Sequence, residues 1–197
     1  AETCAAIGSA MWAWRMLLIE GDARYADVME RQLANAMLAG IALDGETFFY
    51  QNPLEDDGGH RRAPWFRVAC CPPNVARTLA SLPGYCYATA GDELWIHLYA
   101  AGSVEIALGK GPRVGLRQET DYPWSDEIAL HVETAGTFGL RLRVPGWVEP
   151  EAATLTVNGE PVEASLEPGT YALVRRDWQA GDAVRLTLPM PARLVTC

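Results

Sequence analysis

Apolar residues run almost unbroken around the helical circumference from Cys4 to Glu20, where Met11, Trp12, Trp14, Met16, Leu17, Leu18 and Ile19 leave no wide polar face. A helix of that kind has to be covered on most sides. Gly21 ends it, and Asp22 is placed to cap a second helix reaching about Ala39. There the pattern changes: Tyr25, Met29, Leu33 and Met37 recur at every fourth position while Arg24, Glu30, Arg31 and Asn35 lie off that stripe, so this helix is amphipathic. Residues 40–69 lose the helical spacing and contain the polar run Asp56-Asp57-Gly58-Gly59-His60-Arg61-Arg62, a loop of a length that usually serves function. A third helix, capped by Asn74 and beginning at Pro72 or Pro73, is predicted to run to about Tyr87. Val75, Leu79 and Leu82 face inward in it, and Pro83-Gly84 kinks or interrupts it.

After Gly91-Asp92 the period becomes two. Leu94, Ile96 and Leu98 alternate with Trp95, His97 and Tyr99, and Val104, Ile106 and Leu108 with Glu105 and Ala107. The same alternation returns at Ile128 to Val132, Leu140 to Val144, Leu155 and Val157 before the turn pair Asn158-Gly159, Tyr171 to Val174, and Val184 to Leu188. Seven or eight short strands separated by turns predict an antiparallel β-sandwich. The fold class is therefore α+β, with helices over residues 1–91 and a sandwich over residues 92–197.

Composition narrows the function classes. With 197 residues, 49% hydrophobic and 21% charged, the chain can bury a core and is not disordered. A net charge of -9 repels phosphate backbones and anionic membrane surfaces, which argues against nucleic acid and membrane partners. The longest apolar run is too short to span a bilayer, and no charged leader opens the chain. It starts at Ala1 without Met and stops at Cys197 without a polar tail, so both ends read as cut.

The cysteines carry the chemistry. Five of them, Cys4, Cys70, Cys71, Cys86 and Cys197, make an odd number without a disulfide spacing, which points to a reducing compartment or to a metal. Cys70 and Cys71 are adjacent at the start of a helix, where the terminus and any bound cation favour thiolates. Glu2-Thr3-Cys4 adds a carboxylate and a third thiol, and one oxygen with three sulfurs is a donor set suited to Zn²⁺. Thiols packed as small hydrophobes, or a vicinal disulfide, remain open as alternatives at this point.

The runs Phe49-Tyr50-Gln51-Asn52-Pro53-Leu54-Glu55, Trp65-Phe66, Ala69-Cys70-Cys71-Pro72-Pro73-Asn74-Val75-Ala76-Arg77 and Leu142-Arg143-Val144-Pro145-Gly146-Trp147 closely resemble the family 127 glycoside hydrolases, the β-L-arabinofuranosidase family, and its relative family 146. The resemblance covers essentially the whole chain. It implies that the helices are the last part of an (α/α)₆ catalytic barrel and the strands the first sandwich after it. It implies zinc held by Glu2, Cys4, Cys70 and Cys71, and Cys70 as the nucleophile of a retaining double displacement on a β-L-arabinofuranoside or arabinose-containing glycan. Tyr50 matches a tyrosine that reaches a sugar hydroxyl, and packing under the loop is its alternative. The general acid/base Glu of that family precedes the Glu-x-Cys motif, and here only Ala1 precedes Glu2.

Other residues receive plainer readings. His60, Arg61 and Arg62 belong to a solvated loop, and Glu55 could accept a hydrogen bond near the cysteine pair. Trp95, Tyr99, Trp124, Trp147 and Trp178 are mostly core or sheet residues rather than sugar platforms. His97 and His131 lie on the polar phase of their strands and are read as surface histidines. A cytoplasmic location suits free thiols. The rivals are a non-catalytic sugar-binding or structural sandwich module with a helical lead-in, and a redox or zinc-storage protein, which would be marked by the absent CxxC.

Overall fold

The computed structural model describes residues 2–109, 113–192 and 194, so Cys197 lies outside the described residues. The chain divides into two compact units, Ala1–Tyr85 and Cys86–Cys197.

In the helical unit, α1 (Thr3–Glu20) buries Ala6, Ile7, Ala10, Ala13, Trp14 and Leu17 and packs on α2 (Ala23–Arg31) and α3 (Cys71–Ser81). Small residues at positions 6, 10 and 13 let the neighbouring backbone come close. The other face of α1 stays bare: Trp12 is 60%, Leu18 53% and Ile19 76% exposed. Asp22 caps α2 as predicted, its carboxylate accepting the Arg24 N–H at 2.9 Å. The second helix does not stay α-helical to Ala39. It widens into a π-helix over Gln32–Met37 and tightens into a 3₁₀ turn over Leu38–Gly40, with Leu33 and Met37 still buried.

The third helix also differs from its prediction. It begins one turn before Asn74, with Cys70 at the N-cap and the two prolines in its first turn, where their missing N–H groups have no helical partner to lose. Pro83 cannot continue it, so it ends at Ser81 and restarts as the single turn α4 (Pro83–Cys86). Val75 is buried, but Leu79 is 40% exposed. Tyr87, predicted as the helix end, instead opens a strand.

Among the described residues the second unit is a two-sheet sandwich of ten strands: β1 (Tyr87–Ala90), β2 (Glu93–Ile96), β3 (Gly102–Ala107), β4 (Arg113–Glu119), β5 (Glu127–Val132), β6 (Gly136–Val144), β7 (Thr154–Val157), β8 (Glu160–Pro161), β9 (Thr170–Trp178) and β10 (Ala183–Thr187). One sheet has the order β1-β2-β6-β9 and the other β3-β4-β5-β10-β7-β8. All pairs are antiparallel except β2 with β6, where Leu94 pairs Leu140 in parallel register. The chain reaches β6 only after three strands of the other sheet, and such a crossover lets it return beside β2 in the same direction. Leu94, Ile96, Phe138, Leu140, Leu142, Val174 and Trp178 from one sheet meet Val114, Leu116, Ile128, Leu130, Val132, Leu155, Val184 and Leu186 from the other in one apolar core.

The aromatic residues divide. Trp178 and Tyr99 are buried, but Trp124 is 93% exposed on the turn before β5. His97 is not a surface histidine: it follows the end of β2, is 2% exposed, and its Nδ1 lies 2.6 Å from the Tyr171 hydroxyl. His131 keeps part of its surface and pairs with Glu119 at 3.1 Å. Among the described residues no helix is long and apolar enough to cross a membrane.

Candidate metal centre

Three separate stretches of the helical unit are tied together by the backbone around Thr3. Glu2 bridges Gln51 in antiparallel fashion. The Thr3 N–H donates to the Tyr50 carbonyl at 3.0 Å, and the Thr3 hydroxyl donates to the Phe49 carbonyl at 2.8 Å and accepts from Asn52 Nδ2 at 3.0 Å. The same Asn52 amide donates to the Ala36 carbonyl at 3.1 Å, which joins the π-helical turn to this knot. Gly40 is required here, since a Cβ on it would fall 2.7 Å from Thr3 Oγ1. Thr3 is fully buried, so its hydroxyl depends on these partners. None of Thr3, Asn52 or Gly40 stands out in the sequence; a threonine between two candidate ligands was the available signal.

With α1 started in this way, Glu2 and Cys4 face the beginning of α3. Donor atoms of Glu2, Cys4, Cys70 and Cys71 all lie within 4.8 Å of one another. Cys4 Sγ is 3.6 Å from Cys71 Sγ, Cys70 Sγ 3.8 Å from Cys71 Sγ, and Cys70 Sγ 3.7 Å from Glu2 Oε1. The pair Cys70 and Cys71 is thus unbonded, and Cys4, Cys70, Cys71 and Cys86 are all free thiols. A tetrahedron centred about 2.3 Å from each sulfur has S···S edges of about 3.8 Å. The observed separations fit a small thiophilic ion with no side chain needing to move far.

The electrostatics fit it as well. Without a cation, burial pushes the Cys71 thiol up to about 12, and its contacts with Cys4 and Cys70 act in the same direction. Cys70 is also held above its ordinary value, first by its hydrogen bond with the Cys4 sulfur and then by burial. Tyr50 is raised chiefly by the charge of Glu2 and then by burial. Four acidic groups brought together in this way repel one another's negative forms, and a cation among them reverses that. Asn74, expected to cap α3, instead sits in its first turn and donates from Nδ2 to Cys4 Sγ at 3.2 Å.

The remaining candidates are more peripheral. Tyr50 meets Phe66 edge-on with centroids 6.1 Å apart. His60 is not simply solvated: it stacks on Phe49 at 4.5 Å while its Nε2 lies 2.8 Å from the Gln51 carbonyl, and Arg62 covers the same Phe49 ring at 4.3 Å. The loop is thereby pinned next to residues 49–52, which hold Thr3. Glu55 is exposed. Cys86 is buried, its thiol pushed up to about 11 by that burial.

The fold and the site together define an α+β protein whose helical part brings one glutamate and three cysteines into a cluster that could hold a metal ion and whose second part is a β-sandwich. Residues 1–84 match the beta-L-arabinofuranosidase GH127 catalytic domain and residues 93–190 the GH127 middle domain. A non-reducing end beta-L-arabinofuranosidase of Bifidobacterium longum subsp. longum is 36% identical over 96% of this chain and 30% of its own length. Among solved structures, a GH127 β-arabinofuranosidase superimposes with a TM-score of 0.90 at 40% identity, over 96% of this chain and 32% of the other. Ara127N-Se, a GH127 β-L-arabinofuranosidase from Geobacillus stearothermophilus T6, does so with 0.89 at 45% identity, over 97% and 32%. The chain belongs to glycoside hydrolase family 127, and it spans about a third of the length of these relatives.

Proposed function

We propose that this chain carries the nucleophile and the zinc ligands of a retaining glycoside hydrolase that releases L-arabinofuranose from β-L-arabinofuranosides in arabinose-containing glycans. The observation that carries the reading is the convergence of Glu2, Cys4, Cys70 and Cys71 within 4.8 Å, in the part of the chain that matches the GH127 catalytic domain. Zinc bound there supplies the positive charge that keeps buried thiols deprotonated at neutral pH.

The chemistry in which this chain supplies the nucleophile is a double displacement. The Cys70 thiolate attacks the anomeric carbon, a C–S bond forms, and the C–O bond to the leaving group breaks as that oxygen receives a proton from a carboxylic acid. The same carboxylate then takes a proton from water, which displaces the sulfur and restores the thiolate. In the family that carboxylate precedes the Glu-x-Cys motif. We assign Tyr50, whose hydroxyl feels the charge of Glu2, to orienting a sugar hydroxyl. Four free thiols suit a reducing compartment, and on that ground we assign the protein to the cytoplasm.

In the full-length protein, Cys70→Ala is expected to abolish turnover of a β-L-arabinofuranoside, while Cys86→Ala leaves it largely intact. Metal analysis should find one zinc per chain in the wild type. Mass spectrometry of protein quenched during turnover should find a pentose on the Cys70 peptide. Full activity in Cys70→Ala would overturn the assignment whatever the metal content.

A further inference from the structure

Three thiols share one centre, yet their surroundings differ. Cys4 Sγ receives an N–H from the Asn74 side chain at 3.2 Å. Cys70 Sγ faces Glu2 Oε1 at 3.7 Å, and Cys71 Sγ faces the Tyr50 carbonyl at 3.9 Å, both oxygen acceptors. Among the described residues, no side-chain N–H is directed at Cys70 or Cys71. The helix sets up this asymmetry: Asn74 lies three positions after Cys71, so α3 projects both on one face, and the Asn74 carbonyl is held by the buried Thr78 hydroxyl at 2.7 Å. Asn74 is itself half-buried.

We infer that Asn74 is a positioning residue that divides the labour among the thiols, using its N–H···S bond to commit Cys4 to holding the metal and leaving the adjacent pair, Cys70 among them, as the more electron-rich sulfurs. The inference rests on the proposed zinc site and on Cys70 as nucleophile. Its physical basis is general. An N–H pointed at a thiolate draws charge off the sulfur, fixes its orientation and lowers its donor strength toward carbon, and partners outside a metal's ligands are typically worth 10- to 100-fold in affinity. A sulfur without such a donor keeps its lone-pair density for attack. The amide thereby sets Cys4 apart from the two adjacent thiols.

The test uses the full-length protein loaded with Co²⁺ in place of zinc, as wild type, Asn74→Leu and Asn74→Asp. Both substitutions are close in size to asparagine and remove the N–H, and the aspartate keeps a polar group there should leucine hinder folding. The expected result is a shift of the sulfur-to-cobalt charge-transfer absorption to lower energy in both variants. A 10- to 100-fold loss of zinc in chelator competition should accompany it, with the thermal transition of the metal-free protein unchanged. A residue serving only to pack the helix would not move the absorption band. If wild type binds Co²⁺ and both variants show its band and its zinc affinity, this inference fails and the zinc site stands. If wild type takes up no Co²⁺, both fail together.

Discussion

His97 shows how burial changes what one side chain contributes. Removal from water, reinforced by the Arg143 charge, pushes its imidazole down to about 3 from an ordinary 6.5. The unfolded chain takes up that proton as the pH drops through 6.5, and the folded chain does so only near 3. Stability is therefore full above 6.5 and declines as the pH falls through this window, by at most about 1.4 kcal/mol per pH unit. Asp92 and Glu93, held low mainly by Arg175 and Arg141, act in the same direction but only once carboxylates begin to protonate. Between pH 7 and pH 5 the histidine effect stands apart. Thermal unfolding of the sandwich should show a loss of stability across that range, and His97→Gln should flatten it; an equal slope in the variant would show that the proton goes elsewhere.

Among elements, the turn between β7 and β8 concentrates several roles in one residue. Asn158 has a left-handed backbone, with φ of 53°. Its Nδ2 donates to Asp182 Oδ1 at 2.8 Å and its Oδ1 accepts the Ala183 N–H at 2.9 Å, which joins the turn to the start of β10. Asn158→Ala should cost about 2 kcal/mol in chemical denaturation, whereas Asn158→Gly keeps the backbone freedom and isolates the hydrogen bonds. This turn was legible in the sequence, as were α1, the start of α2 and the strands with strict alternation. β4 was not, because Gly115 interrupts it and Gln118 occupies a core position, its amide donating to the Tyr87 hydroxyl at 2.6 Å. β1 and β8 are short, and β8 contains a proline, so neither gives a periodic signal. The parallel pairing of β2 with β6 depends on which sheet each strand joins, and local pattern does not record that. The candidate ligands were legible through the thiols of Cys4, Cys70 and Cys71. The amides and hydroxyl that hold them were not, because Thr3, Asn52 and Asn74 look like any capping or loop residue until the chain brings them together.

For the whole molecule, the exposed stripe of Trp12, Leu18 and Ile19 on α1 outweighs the solubility that a net charge of -9 confers. This chain by itself should associate through the stripe. Sedimentation velocity should show oligomers at micromolar concentration that Leu18→Lys with Ile19→Lys disperses, and a monodisperse wild type would refute this. The proposed metal centre has a second consequence at this scale. Cys4 and Cys71 are 67 positions apart, so an ion bonded to both closes a loop of that length. A covalent bridge over such a span removes on the order of 4 kcal/mol of entropy from the unfolded chain. Within the span lies the exposed segment of residues 53–59, which follows directly on the residues anchored at Thr3 and would slacken with them if the clasp opened. Stripping the ion with a chelator should therefore make that segment a protease target, and restoring zinc should protect it again, so that a reagent chosen for sulfur chemistry also governs how long the chain survives.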